Sequence, residues 1–166
     1  MVALGAASVE VTRRFGYAPP LFGKRGYHMH YTMRGNAVLN RPLVDSDTGF
    51  ALMPMRRGIR LTTGVEFARS EAPPSPVQLE RAEPVARALL PLDARVDAAP
   101  WMGVRPALPD MLPVIGRAPG HDALWCAFGH AHQGLTLGPS TGRLLAEMMS
   151  GEATFLDSQP YRAERF

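Results

Sequence analysis

The chain has 166 residues, 46% of them hydrophobic, enough to bury the core of one domain or one and a half. With 18 basic residues against 15 acidic ones the net charge is only +3, and no run of Lys/Arg exceeds two, so no nucleic-acid footprint is expected. Cys126 is the single cysteine, which excludes an internal disulfide framework and a zinc-ribbon cluster, and no apolar stretch approaches the roughly 18 residues of a membrane span.

The N-terminus lacks a basic n-region and a long apolar h-region, so the cytoplasm is the expected location. "VALGA" at the start reads as a short apolar strand with no polar lead-in, followed by a short helix ending near Gly16, and this abrupt opening suggests truncation. "YHMHYTM" (27–33) has strand composition, and "TGFALMPM" (48–55), "GIRLTTG" (58–64) and "VEFA" (65–68) follow as an antiparallel meander. "EAPPSP" (71–76) is a loop whose last proline begins a helix over 77–90, which Pro84 should kink or divide. A strand at "WMGVR" (101–105), the proline-rich "PALPDMLPVIG" (106–116) and a strand at "ALWCAF" (123–128) come next. The final helix carries Leu144, Leu145, Met148 and Met149 on one side, with Gly151 just past its end. The tail after it reads as mostly irregular. The pattern is α+β, an antiparallel sheet packed with helices on one face.

"GHAHQGLTLGPSTGRLLAEMMSG" (129–151) is a glycine-punctuated loop turning into that helix. Gly129 and Gly134 permit close backbone approach, Pro139 suits the first helical turn, and Thr136 and Ser140 both qualify as N-caps. Free amides at such a junction suit an electron-rich partner: a reduced flavin, a phosphate or a carboxylate. An ordinary capped helix after a strand has the same residue types.

Gly103, Arg105, Pro106, Pro109, Asp110, Pro113, Ile115 and Gly116, then Gly129, His130, Gly134, Leu135 and Thr136, fall in the order G-x-R-P-x-x-P-D-x-x-P-x-I-G followed by G-H-x-x-x-G-L-T. In this the chain resembles the C-terminal part of the FAD-dependent D-amino-acid oxidase and dehydrogenase superfamily, bacterial D-amino-acid dehydrogenases most closely and glycine oxidase more distantly. "KRGYHM" (24–29), "VALGAAS" (2–8) and "PYRAERF" (160–166) extend the likeness over nearly the whole chain. The resemblance implies a remnant of the FAD-binding domain at 1–16, a substrate-binding antiparallel sheet domain at 17–120, a strand–loop–helix returning to the Rossmann-like FAD-binding domain at 121–151, and a tail at 152–166. The G-x-G-x-x-G phosphate loop of that family has no counterpart here. The resemblance therefore implies a fragment that retains little FAD alone, is inactive by itself and needs a missing N-terminal segment or an upstream subunit. The face so exposed makes self-association an expected behaviour.

For the complete enzyme the resemblance implies hydride transfer from a D-amino acid to FAD. Arg105 would hold the substrate carboxylate, Gly129, His130, Gln133, Gly134, Leu135 and Thr136 would contact the cofactor, and Tyr27, Tyr31 and His132 would line the substrate pocket. His132 stands where glycine oxidase-like sequences carry a second arginine. A quinone acceptor would put the enzyme at the inner membrane periphery. The alternative is a non-catalytic module using the sheet for ligand or subunit binding.

The pairs His28/His30 and His130/His132 could each converge on an ion from one strand face, but no acidic residue nearby in sequence completes a set, so no metal is expected. Cys126 reads as a small hydrophobe in a strand, Met53 and Met55 as core or pocket wall, and Arg56 and Arg57 as solvated turn residues.

Overall fold

In the computed structural model, which describes residues 1–69 and 71–166, the chain forms two units. One comprises Met1–Lys24 with Val104–Phe166, the other Arg25–Gly103. This division by contact falls inside the segment 17–120 that the resemblance treats as one substrate domain.

The second unit is built on a mostly antiparallel sheet of β1 (Phe22–Met33), β2 (Leu43–Asp45), β3 (Phe50–Met55), β4 (Gly58–Thr63) and β5 (Glu66–Phe67), in the order β2-β3-β4-β1-β5. β6 (Leu92–Arg95) and β7 (Trp101–Ala107) also pair with β1. The two-residue period of a strand sorts its faces. Met29 pairs with Leu61 and Leu61 with Leu52, while Tyr31 pairs with Ile59. These residues, with Tyr27 and Phe50, form a core with Leu79, Ala82 and Ala86 of α2 (Val77–Leu89). The alternate positions, His28 paired with Thr62 and His30 with Arg60, lie on the opposite face. Of the two outcomes expected at Pro84, a kink or a division, the division does not occur: α2 runs through it. Its missing amide forfeits one bond to the Glu80 carbonyl, and the packing of Leu79, Ala82 and Ala86 on the sheet spans that gap.

Arg25 is completely buried, and each of its five N–H donors has an acceptor. Nε reaches Glu66 Oε2 at 2.8 Å, Nη1 the carbonyls of Arg69 (3.0 Å) and Ala72 (2.5 Å), and Nη2 the Tyr27 hydroxyl (2.8 Å) and the Pro73 carbonyl (2.7 Å). The Tyr27 hydroxyl donates to Glu66 Oε2 at 2.6 Å and accepts from the Ser75 amide at 2.9 Å. The loop before α2 is thus fastened to β1 through its carbonyls.

In the first unit, β8 (Val114–Arg117) and β9 (Trp125–Phe128) form an antiparallel pair. The expected N-terminal strand shrinks to a parallel bridge, in which the Val2 amide donates to the Trp125 carbonyl at 2.7 Å and the Ala127 amide to the Val2 carbonyl at 2.9 Å. A short helix, α1 (Ser8–Thr12), and a helical turn end at Gly16, whose φ of 78° closes the segment. Val2, Tyr17, Leu108, Val114, Cys126 and Phe128 make one cluster, while Ile115 and Trp125 pack with Leu144 and Leu145 of α3 (Gly134–Ser150) in another. Gly151, at φ 71°, terminates α3 as its position predicts.

The C-terminal segment is less irregular than expected, containing two single-turn helices, Gln159–Tyr161 and Ala163–Arg165. It fastens the proline-rich loop. Arg165 Nε donates to Asp110 Oδ2 at 2.7 Å and Nη2 to the Leu112 carbonyl at 2.7 Å, while the Tyr17 hydroxyl donates to the Ala163 carbonyl at 3.0 Å.

Candidate functional site

Arg105 lies on β7 and is half-buried. Its Nη1 is shielded from solvent and, among the described residues, has no hydrogen-bond partner. A buried guanidinium donor without an acceptor is costly, and an anionic group is the partner that would satisfy it.

The next residue connects this strand to the glycine-rich turn. The Ala131 amide donates to the Pro106 carbonyl at 2.7 Å, with Ala131 itself at φ 50°. Gly129 has φ 87°, a conformation that favours glycine, and a Cβ there would lie 2.8 Å from Leu108 Cδ1 and displace that methyl group. His130 Nε2 hydrogen-bonds Thr141 Oγ1 at 2.9 Å, and burial lowers the His130 pKa, favouring the neutral ring.

α3 begins at Gly134, earlier than the expected caps. Gln133 occupies the N-cap without a side-chain hydrogen bond, its own amide donating to the His130 carbonyl at 2.9 Å. Thr136 and Ser140 are therefore inside the helix, and so is Pro139, beyond the first turn. The first turn carries no acidic side chain, residues 132–140 are all exposed, and Leu135 is 97% exposed. The helix presents uncapped amides and its positive end to whatever approaches. Gly134, Gly138 and Gly142, four residues apart, share one face. A Cβ at Gly134 would make only ordinary contact with His130, and at Gly138 and Gly142 it would meet none of the described residues within 4 Å. That strip is bare.

His132 is exposed at the tip of the turn. Tyr27 and Tyr31, expected along a substrate pocket, instead face α2 within the core of the second unit, with relative exposures of 4% and 0%. Burial pushes the Tyr31 hydroxyl up to about 12. The opposite face carries a group that the sequence reading did not assemble. Trp101 stacks on His28 at 4.7 Å, His28 meets His30 edge-on at 5.0 Å, and Arg60 Nε donates to His30 Nε2 at 3.3 Å. The alternation of Tyr27, Met29 and Tyr31 with His28 and His30 was the available signal for two differently packed faces. Among the described residues no three His, Cys, Asp or Glu side chains converge as a metal set, and no helix is long and apolar enough to cross a membrane.

A guanidinium nitrogen without a partner among the described residues and an uncapped, glycine-lined helix start, joined by a backbone hydrogen bond, are groups suited to electron-rich and anionic ligands. Residues 1–148 match the FAD dependent oxidoreductase (DAO) family, and the chain belongs to it. It is 34% identical over 175 residues to a D-amino-acid oxidase of Bradyrhizobium diazoefficiens, with 100% of this chain and 40% of that protein covered. It is 32% identical over 163 residues to glycine oxidase of Pseudomonas aeruginosa, with 97% and 44% covered. The fold matches that of glycine oxidase from Geobacillus kaustophilus with a TM-score of 0.80 at 23% identity, across 98% of this chain and 44% of that one. The chain thus spans less than half the length of these relatives.

Proposed function

We propose that this chain supplies the substrate-carboxylate anchor and one half of the flavin site of an oxidoreductase that converts the CH–NH2 group of D-amino acids to imino acids, which hydrolyse to 2-oxo acids and ammonia. The observation that carries the reading is the buried, unpaired Nη1 of Arg105, one residue from the carbonyl that receives the Ala131 amide. FAD, when bound, supplies the hydride acceptor.

Arg105 pairs its fork with the substrate carboxylate and so orients Cα. Gly129 and Gly134 let the backbone come close to a flat ring, and Gln133, Leu135 and Thr136 belong to the same turn. The amides of the first turn, with no acidic side chain among them, stabilise negative charge that develops during reduction. His130 remains neutral and holds the turn to Thr141. His132 faces solvent where a relative's second guanidinium would stand, which shifts substrate preference. Tyr27 and Tyr31, as core residues, act only by fixing β1.

The test is co-expression with a dinucleotide-binding segment carrying a G-x-G-x-x-G loop, followed by an absorbance spectrum and a panel of D- and L-amino acids. The reading expects a flavin spectrum and oxidation of D-amino acids in the assembled protein, and a colourless chain when purified alone. Arg105→Ala should lower kcat/KM by roughly a hundredfold or more, the scale of truncating one partner of a buried charge pair. An unchanged kcat/KM would remove the carboxylate role.

A further inference from the structure

We infer that the first unit carries a binding cavity for a small, uncharged monocyclic phenol, enclosed by the proline-rich loop, α3 and the C-terminal segment. The cavity has a volume of about 170 Å³, close to the ~150 Å³ that admits a benzene ring in an engineered protein core. Pro113, Ile115 and Leu144 are buried and form its floor. Met111, Leu112 and Leu137 stand at its rim, each between 37% and 39% exposed. Large apolar side chains left partly open around a hollow present surface that an apolar occupant would take out of water.

The lining selects the chemistry. No charged side chain contributes to it, so the occupant is neutral: a carboxylate or an ammonium there would lose water without gaining a counter-charge. The polar side chains of the cavity are hydroxyls. Thr141 Oγ1 is engaged by His130 Nε2 at 2.9 Å, whereas the Ser140 and Tyr161 hydroxyls have no hydrogen-bond partner among the described residues. A ring carrying one hydroxyl matches an apolar hollow with such an edge, because a hydroxyl can donate to or accept from either residue.

The backbone of the loop gives a second, independent observation. Met111 has φ 62°, one of two non-glycine residues at positive φ among the described residues. A residue strained in this way persists only where its surroundings hold it, and such strain gathers at ligand clamps. The Met111 amide donates to the Leu108 carbonyl at 2.9 Å, and Arg165 grips Asp110 on one side of it and the Leu112 carbonyl on the other, both at 2.7 Å. The Met111 sulfur accepts from Lys24 Nζ at 3.0 Å, although Lys24 does not itself line the cavity. A polarisable thioether, favourable against the edge of an aromatic ring, is thereby fixed at the rim. The cavity uses neither Arg105 nor residues 129–136, so it stands whether or not the flavin reading holds.

The test is titration of the chain, 13C-labelled at its Ile and Leu methyl groups, with p-cresol. The expected result is a saturable shift of the Ile115 and Leu144 methyls while those of Leu52 and Leu61, in the core of the other unit, stay in place. Half-saturation should need at least about tenfold more 4-methylbenzoate, which keeps the ring and the methyl but carries a charge. Ser140→Ala combined with Tyr161→Phe should weaken p-cresol at least about threefold by removing the hydroxyl edge. Leu137→Trp, at the rim, should fill the mouth and abolish the shift; if that variant loses the native spectrum, Ser140→Trp takes its place. Arg105→Ala should bind as the parent does. Unmoved Ile115 and Leu144 methyls, equal saturation by the benzoate, or undiminished binding in the hydroxyl-free chain or in a folded tryptophan variant overturns the proposal. So does loss of the shift in Arg105→Ala, which would place the phenol at the arginine instead.

Discussion

The amide of Ala131 donates to the carbonyl of Pro106 at 2.7 Å, so the residue following Arg105 and the turn that opens α3 are joined by one backbone hydrogen bond. Leu108, two residues further on, packs where a Gly129 side chain would be. An arginine motif and a glycine motif, far apart in sequence, therefore hold each other in position.

Gly129→Ala tests that joint. At φ 87° an L side chain is strained, and its Cβ would press on Leu108 Cδ1. The substitution should cost about 2–3 kcal/mol, measured by urea denaturation. Leu108→Ala in the same chain removes the clash and leaves the backbone strain, so the two substitutions should be non-additive.

Asp110→Asn tests the fastening of the proline-rich loop. Burial opposes ionisation of Asp110, but the Arg165 hydrogen bond and the Leu112 amide prevail and hold its carboxyl below the ordinary range. Neutralising it should cost about 2 kcal/mol, the scale of a hydrogen bond to a charged group. The Leu112 and Ala131 amides should then exchange with deuterium faster than in the parent, while those of β3 and β4 keep their rates.

His28 gives a pH dependence. Burial first, then Arg60, His30 and Arg57, lower its pKa from 6.5 to about 4 against the opposing pull of Asp97. Between those values the unfolded chain binds the proton and the folded chain does not, so stability falls as pH drops from about 6.5 toward 4. His28→Phe keeps a ring against Trp101 and removes the titration. Thermal melts across that range should show a shallower decline for the variant than for the parent.

Gly142→Ala should stabilise the chain by up to about 1 kcal/mol, because a helix-interior glycine gains from a methyl group when nothing obstructs it. If that face receives a close-packed neighbour in an assembled protein, the same methyl should weaken assembly. Melting the chain alone and measuring assembly with the dinucleotide-binding segment separates the two effects.

Much of the architecture was legible because its signals are local. Alternation marked β1, β3 and β4, and spacings of three and four marked the buried side of α3, with Gly151 at its end. The strands that were missed carry weak patterns. β8 follows three prolines in close succession, β6 contributes one buried residue, Leu92, and β2 is an edge strand with Val44 exposed. The start of α3 was misjudged because Pro139 resembles a first-turn proline, while the actual first turn contains a glycine and uses no side-chain cap. For the site, the order of motif residues was visible in the sequence. The hydrogen bond between Pro106 and Ala131, the unpaired Nη1 of Arg105 and the inward turn of both tyrosines depend on contacts distant in the chain.

Gly103 stands two residues before Arg105 and is covered by the ring of Trp101. Any side chain there would have to evict the indole, and the imidazole of His28 would lose its cover at the same moment. A hydrogen atom at one α-carbon thus keeps an aromatic pair together. Variation at this position is answerable to the neighbouring tryptophan before it is answerable to any ligand.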